Sequence, residues 1–479
     1  MGNSIKERSI SGFIWKLLEK GGSQCISMII QIVLARILVP SDYGIVGYLT
    51  LFINLSDVFI QQGLTTALIQ KKDADEIDFS SVFFSNIVIA IFIYGVFWVI
   101  APYVAIFYHE PKLESIMRIL SFSVIIGALS AVHNAILAKN LDFRKSFYRG
   151  LANTITYGIT GVLFAVLGFG VWSLVYGRLI GLLVGAISLW VTVKWKPKRK
   201  ISLLRIKNLF SYSSKVLGTN LLNTFFNNIN SLIIGRMYTS TDLGFYQRGQ
   251  NIPQTIMVSV DGSMTEVMYP TFSLLQSDLK QLKSAMRRSM KLSMYIISPI
   301  LIGLFVVAKP LTVFLLTDKW LPSVPFMKLT CIICLFWPLS ARIHALNAIG
   351  KSNVTFKLSI FGKAISLFFL LIFAQFGVIY IMYGMILTSC ITLFITSYFV
   401  NKYLDYSLLE LFTDIAPSIV LSILMGIFVG FISKFIDQVL ISLLIQVISG
   451  IVFFGCGSII LKIDSFYYIL NYLNNIFKK

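Results

Sequence analysis

Ala35-Arg36-Ile37-Leu38-Val39-Pro40-Ser41-Asp42-Tyr43-Gly44 has a counterpart at an offset of 200, Gly235-Arg236-Met237-Tyr238-Thr239-Ser240-Thr241-Asp242-Leu243-Gly244. Each carries a small residue, an arginine and an apolar residue, then Asp-x-Gly. A second pair, Phe169-Gly170-Val171 with Tyr176-Gly177 and Phe376-Gly377-Val378 with Tyr383-Gly384, recurs at an offset of 207, and Pro102 and Pro310 fall in register between the two. Offsets this close mark a duplicated unit.

The duplicated material is membrane helix. Of 479 residues, 56% are hydrophobic and only 13% charged, a composition for lipid and not for water. A helix needs about 20 largely apolar residues to cross ~30 Å of hydrocarbon. Apolar runs read against Gly, Pro and charge predict spans near 12–35, 43–66, 80–107, 114–138, 148–168, 170–193, 208–236, 243–270, 286–308, 322–348, 354–374, 377–400, 412–434 and 439–461. Spans one, two, seven and eight are the least apolar. The expected fold is therefore an all-α polytopic membrane protein of about 14 helices. Residues 1–193 form an N-terminal lobe of six, 194–207 a basic connector, 208–402 a second lobe of six, and 403–479 the last two helices and tail. An even number of spans per lobe makes the repeat parallel, with its pseudo-twofold axis along the membrane normal and a pathway between the lobes.

Charge supplies orientation. The net charge of +20 is spread over alternate loops, among them Lys139, Arg144 and Lys145, then Lys194 to Lys207, then Lys280 to Arg288, and over both termini. The positive-inside rule places these loops and both termini in the cytoplasm. Scatter of this kind is not the single basic face that nucleic acid requires. The five cysteines make no disulfide framework, and Cys331-x-x-Cys334 lacks the second ligand pair of a metal site. Lys16, Glu19 and Lys20 interrupt the first apolar run, which argues against a cleavable signal peptide. No Walker, HExxH or GxSxG pattern points to an enzyme or a cofactor, so any pumping draws on an ion gradient or on substrate supply.

The polar residues inside spans carry the functional signal. Asn220, Asn223, Asn227 and Asn230 share one helical face. Asn54, Asp57, Gln61 and Thr65 make another stripe, and Gln254, Asp261 and Thr265 stand at the positions equivalent to Asn54, Gln61 and Thr65. Such stripes either line a wet cavity or hydrogen-bond neighbouring helices; their matched placement in both halves favours the cavity. Intramembrane cations (Lys16, Lys20, Arg118, Arg178, Lys215, Arg248, Lys291, Lys328, Arg342, Lys363) outnumber the acids Glu19, Asp57, Asp261 and Glu266. Each costs ~2.5–3.5 kcal/mol at mid-bilayer, so the excess suggests an anionic cargo. Arg118, Lys291 and Arg342 are close enough to span ends to snorkel. Glu19 is placed to neutralise Lys16. Arg36 and Arg236 are expected to hold Asp42 and Asp242, and His133 and His344 read better as packed imidazoles than as proton sensors.

Residues 35–44, Gly63-Leu64-Thr65-Thr66-Ala67-Leu68-Ile69-Gln70, and Ile234-Gly235-Arg236 through Leu243-Gly244-Phe245-Tyr246-Gln247-Arg248 resemble the Wzx-type polysaccharide flippases, in the WzxC-like lipopolysaccharide biosynthesis branch. Tyr269-Pro270 and Asp318-Lys319-Trp320 also sit where that branch's patterns put them. The resemblance covers essentially the whole chain. It implies the multidrug, oligosaccharidyl-lipid and polysaccharide exporter superfamily, whose two six-helix lobes form a V around a central cavity. The implied activity is alternating-access transfer of undecaprenyl-diphosphate-linked oligosaccharide to the outer leaflet of the bacterial cytoplasmic membrane. The product feeds O-antigen, capsule or exopolysaccharide assembly, with a polysaccharide polymerase and a chain-length regulator as candidate partners. On that reading Lys16, Lys20, Lys215 and Arg248 attract the diphosphate while Asn220, Asn223, Asn227 and Asn251 bond sugar hydroxyls. Asp57, Asp261 or Glu266 takes a coupled H+ or Na+. The family commonly has Asp where this chain has Asn230, which puts coupling in doubt. The rivals are an antiporter of small organic cations, whose cavity should be acidic, a lipid II flippase, and a membrane glycosyltransferase, which should carry larger external loops.

Overall fold

The computed structural model describes residues 22–140, 142–436 and 438–477, and within them the chain is helical with no strand. The helices are α1 (Gly22–Ile37), α2 (Pro40–Gln62), α3 (Leu64–Gln70), α4 (Glu76–Tyr108), α5 (Lys112–Leu120), α6 (Phe122–Lys139), α7 (Phe143–Val166), α8 (Val171–Thr192) and α9 (Leu203–Met237). There follow α10 (Ser240–Leu274), α11 (Leu279–Leu316), α12 (Val324–Cys334), α13 (Ala341–Ala348), α14 (Ser352–Phe373), α15 (Val378–Leu404), α16 (Leu408–Ile432), α17 (Val439–Ile460) and α18 (Asp464–Phe477).

Ten helices or helix pairs among the described residues are long and apolar enough to cross a membrane. The other predicted spans coincide with α1, α7, α9 and α10, which are too short or too polar to count by length and composition. Three of these were the spans expected to be least apolar. The second span passes because α2 and α3 run on as one 31-residue stretch.

The repeated motifs are helix starts. Asp42 accepts the Val39 N–H at 3.3 Å, and Asp242 accepts the Thr239 N–H at 3.2 Å while Thr239 Oγ1 accepts the Asp242 N–H at 3.2 Å. The two equivalent acids therefore occupy the same position and bond back to the residue three before them; at α10 Thr239 returns the bond and completes a capping box, whereas Val39 has no side-chain acceptor and α2 keeps only half of one. Arg236 does not hold Asp242 as expected: its guanidinium lies 2.8 Å from His109 Nε2 and over the Phe107 ring, while Thr239 and the backbone already serve the acid. In the second motif Gly170 and Gly377 precede α8 and α15 at φ of 54° and 134°, a region L side chains avoid.

The Asp-x-Gly glycines explain the first motif further. A Cβ on Gly44 would lie 1.7 Å from the Ser240 carbonyl oxygen, and one on Gly244 would lie 2.1 Å from the Pro40 carbonyl oxygen. Pro40 and Ser240 are themselves equivalent at the offset of 200. The close approach is thus reciprocal between equivalent positions of the two motifs.

By packing, the chain divides into two compact units, one ending at Gly244 and one starting at Phe245. In the first, α9 packs on α2, α3 and α4, and α7 pairs with α8. Leu64, Leu68, Phe83, Val132 and Leu209 form one of its apolar cores, Leu34, Leu38, Ala165 and Leu174 another. His133 is fully buried there with its ring 4.7 Å from Trp190 and 5.3 Å from Trp195, a packed imidazole as expected. In the second unit α11 is the central helix, packed on α12, α16 and α17. Cys331 and Cys334 are buried in its core beside Met327 and Met425.

Candidate functional site

In the first unit the α2 stripe meets α9 through Asn228, a residue outside the predicted row of Asn220, Asn223, Asn227 and Asn230. Asn54 Nδ2 donates to Asn228 Oδ1 at 3.2 Å, and Asn228 donates in turn to the Thr224 carbonyl. One turn along α2, Asp57 is half-exposed and stands 4.0 Å from Arg178 of α8. Gln61 follows on the same face, half-buried. Thr65 leaves the stripe, because the chain breaks at Gly63 between α2 and α3. It is buried, accepts from Asn86 Nδ2 at 3.1 Å and donates to the Ile60 carbonyl at 2.8 Å, which makes it interhelical adhesive.

On α9, Lys215 and Asn227 are exposed and Asn220, Asn223 and Asn230 half-buried. Asn223 lies about two turns beyond Lys215, so cation and amides border one face. Asp57 and Arg178 thus stand together on α2 and α8, while Lys215 and the four asparagines lie along α9. A carboxylate, a guanidinium, an ammonium and several amides can bind a polyhydroxylated or phosphorylated ligand; among the described residues no set of His, Cys, Asp and Glu could hold a metal ion.

Other predicted residues lie elsewhere. Arg248 and Asn251 are on the part of α10 that belongs to the second unit. Arg248 is buried, its guanidinium 5.6 Å from the centre of the Trp320 ring, and Asn251 is half-buried. Lys16 and Lys20 lie outside the described residues, as does Glu19. Asp261 and Glu266 fall on α10, but their side chains lie outside what is described.

The cation excess is mostly absorbed by packing. Arg118 pairs with Glu114 at 2.8 Å and lies 4.0 Å over Trp98; Lys291 pairs with Asp414 at 3.2 Å; Lys328 sits over Phe305. Arg342 is buried and donates to Ser397 Oγ at 2.6 Å and to the Leu339 carbonyl. Helix-end snorkelling is not what satisfies Arg342, and counting cations carries no argument for the charge of the cargo.

Sequence reasoning missed two features. Arg178 was counted as an intramembrane cation but not paired with Asp57. Glu410 and Asp414 were not singled out, although a signal existed: Lys283, Arg287 and Lys291 repeat every four residues on α11, and Glu410 and Asp414 are spaced by four on α16. These two rows meet, Lys283 to Glu410 at 3.0 Å and Arg287 to Asp414 at 2.8 Å.

Among solved structures the fold is similar to that of the lipid II flippase MurJ in an inward closed conformation, with a TM-score of 0.74 and 16% identity over 94% of this chain and 99% of that one. It is also similar to an inward-facing multidrug resistance MATE family transporter of the MOP superfamily, with a TM-score of 0.65 and 13% identity over 80% and 94%. The expected exporter fold is thereby established. In sequence the chain is similar to the succinoglycan biosynthesis transport protein ExoT of Rhizobium meliloti (strain 1021), 25% identical over 71% of this chain and 69% of the relative. The lipopolysaccharide biosynthesis protein WzxC of Escherichia coli (strain K12) is 22% identical over 83% and 81%, and the teichuronic acid biosynthesis protein TuaB of Bacillus subtilis (strain 168) 24% over 74% and 74%. Residues 33–325, well over half of the chain and including all of α2, α8 and α9, match the family described as Polysaccharide biosynthesis protein, and the chain belongs to that family.

Proposed function

We propose that the protein is a flippase that moves undecaprenyl-diphosphate-linked oligosaccharide units from the cytoplasmic to the outer leaflet of a bacterial cytoplasmic membrane by alternating access. Both termini face the cytoplasm. The observation that carries this reading is that the family match spans α2, α8 and α9 with their polar residues, while three relatives named for different bacterial polysaccharides match across two thirds or more of their lengths. A diphosphate and its sugars need cations and neutral hydrogen-bonding groups together. Lys215, with Lys16 and Lys20, attracts the diphosphate, and Asn220, Asn223, Asn227 and Asn251 bond hydroxyls. Arg248 steadies α10 against Trp320. Arg178 joins the phosphate-binding groups whenever Asp57 is neutralised, so Asp57 is the first candidate for a coupled H+ or Na+, with Asp261 and Glu266 as further ones.

The test follows a labelled undecaprenyl-diphosphate oligosaccharide across proteoliposomes with and without a pH or Na+ gradient. Protein-dependent transfer that Lys215→Gln or Asp57→Asn slows at least tenfold supports the reading. Efflux of small organic cations with no lipid transfer overturns it, and transfer confined to lipid II assigns the rival cargo.

A further inference from the structure

A second site lies in the other unit, where α11 begins and α18 ends the chain. Here a cavity of about 520 Å3 is walled by Lys280, Lys283, Arg287, Arg288 and Lys291 of α11 and by Asp464 and Tyr468 of α18. The basic residues form two rows. Lys283, Arg287 and Lys291 are spoken for by Glu410 and Asp414 of α16. Lys280 and Arg288 are exposed, and neither side chain forms a described ion pair, although Asp278 caps α11 by accepting the Lys280 N–H at 3.0 Å. Arg288 instead lies 3.7 Å over the Tyr468 ring, which fixes the guanidinium at the cavity wall. Five cations against Asp464 in the wall, Glu410 and Asp414 behind it and Asp278 at the α11 cap leave the cavity with a net positive charge.

The surroundings select the ligand. Phe466 and Ile469 of α18 pack into the core of this unit, while Tyr467, Tyr468 and Leu470 stay exposed. The adjoining end of α17 exposes Ile459, Ile460 and Leu461. A short helix with an aromatic edge beside bare aliphatic side chains is the composition of a membrane interface, and a basic pocket at that depth takes a lipid phosphate. We propose that this cavity binds the phosphodiester headgroup of an anionic membrane phospholipid, held by Lys280 and Arg288, with its chains along the exposed end of α17. The inner row of cations is paired with Glu410 and Asp414 and positions α16.

The experiment places the full chain in phosphatidylcholine nanodiscs and titrates in phosphatidylglycerol, reading bound lipid by native mass spectrometry. Each surface cation near a phosphate contributes about fivefold, so Lys280→Gln with Arg288→Gln is expected to weaken retention about 25-fold. Both residues are exposed, so the fold is retained, and the charge-keeping pair Lys280→Arg with Arg288→Lys should hold lipid nearly as the natural protein does. A parallel titration with inorganic pyrophosphate separates the sources: displacement of phosphatidylglycerol at micromolar pyrophosphate means that the site serves a free phosphate and overturns the lipid assignment. Equal retention by the natural protein and the double Gln variant overturns the site itself. Neither readout uses transport, so the outcome is independent of the cargo.

Discussion

Asp78 and Asp414 are both buried carboxylates in the first turns of a membrane helix, one in each unit, and they are fastened differently. Asp414 takes two parallel bonds from Arg287, both at 2.8 Å, a third from the Tyr406 hydroxyl at 2.8 Å, and the Lys291 ammonium at 3.2 Å. Asp78 takes Lys71 at 2.5 Å and the Asp75 N–H at 3.1 Å on one oxygen, while its Oδ1 accepts no hydrogen bond and has Arg205 only at 3.4 Å. A buried charge is stable only when nearly every lone pair is occupied. The α11–α16 anchor meets that condition and the α4–α9 anchor does not, so the first is a fixed joint and the second a looser one.

Substitution of the two acids tests this contrast most severely. Asp414→Asn should cost about 3 kcal/mol, since Lys291 would lose its described acid and Arg287 would keep only Glu410 at 3.2 Å. Asp78→Asn should cost about 1–2 kcal/mol, because its Oδ1 already accepts no hydrogen bond. Thermal unfolding of the purified variants in one detergent gives the ranking; equal losses would break the comparison. Tyr406→Phe comes next at about 1 kcal/mol, the worth of one hydrogen bond to a charged acceptor whose other bonds persist. A loss as large as that of Asp414→Asn would mean that the hydroxyl, and not Arg287, holds the acid.

The anchors also mark how far a sequence can be read. Repeat, helix class and helix starts were legible because Asp42, Asp242, Gly170 and Gly377 act through local backbone geometry, which neighbouring residues encode. The reciprocal approach of Gly44 and Gly244 was legible as a recurrence but not as a contact, since nothing local says that two glycines two hundred residues apart will touch. The set of polar groups on α2, α8 and α9 was half legible. Its stripes follow from helical period, but whether Arg118 or Arg342 faced a cavity depended on Glu114, Trp98 and Ser397, and only the last of these is remote in sequence. Arg178 and Asp57 lie on helices separated by five others, beyond any local pattern.

Asp75 stands beside the looser anchor with a depressed pKa, and its acid response is the finest test of the contrast. Asp75 caps α4 outside the span and accepts from Arg205, which with the Asp78 backbone N–H lowers its pKa from the ordinary 3.8 to about 2. A carboxyl whose folded pKa is depressed contributes stability above its unfolded pKa and loses it as pH falls through the folded one. The α4–α9 contact is therefore intact at pH 5 and weakens between about pH 4 and pH 2. Asp75 is half-exposed, so the effect is small and falls further in high salt. Limited proteolysis of the 194–207 segment at pH 5 and at pH 2.5, with an acid-stable protease, should show faster cleavage at the lower pH in the natural protein. Asp75→Asn should be cleaved at the faster rate at both. If the natural protein and the variant respond alike to acid, Asp75 is not the titrating member and the weakness of this anchor lies with Asp78.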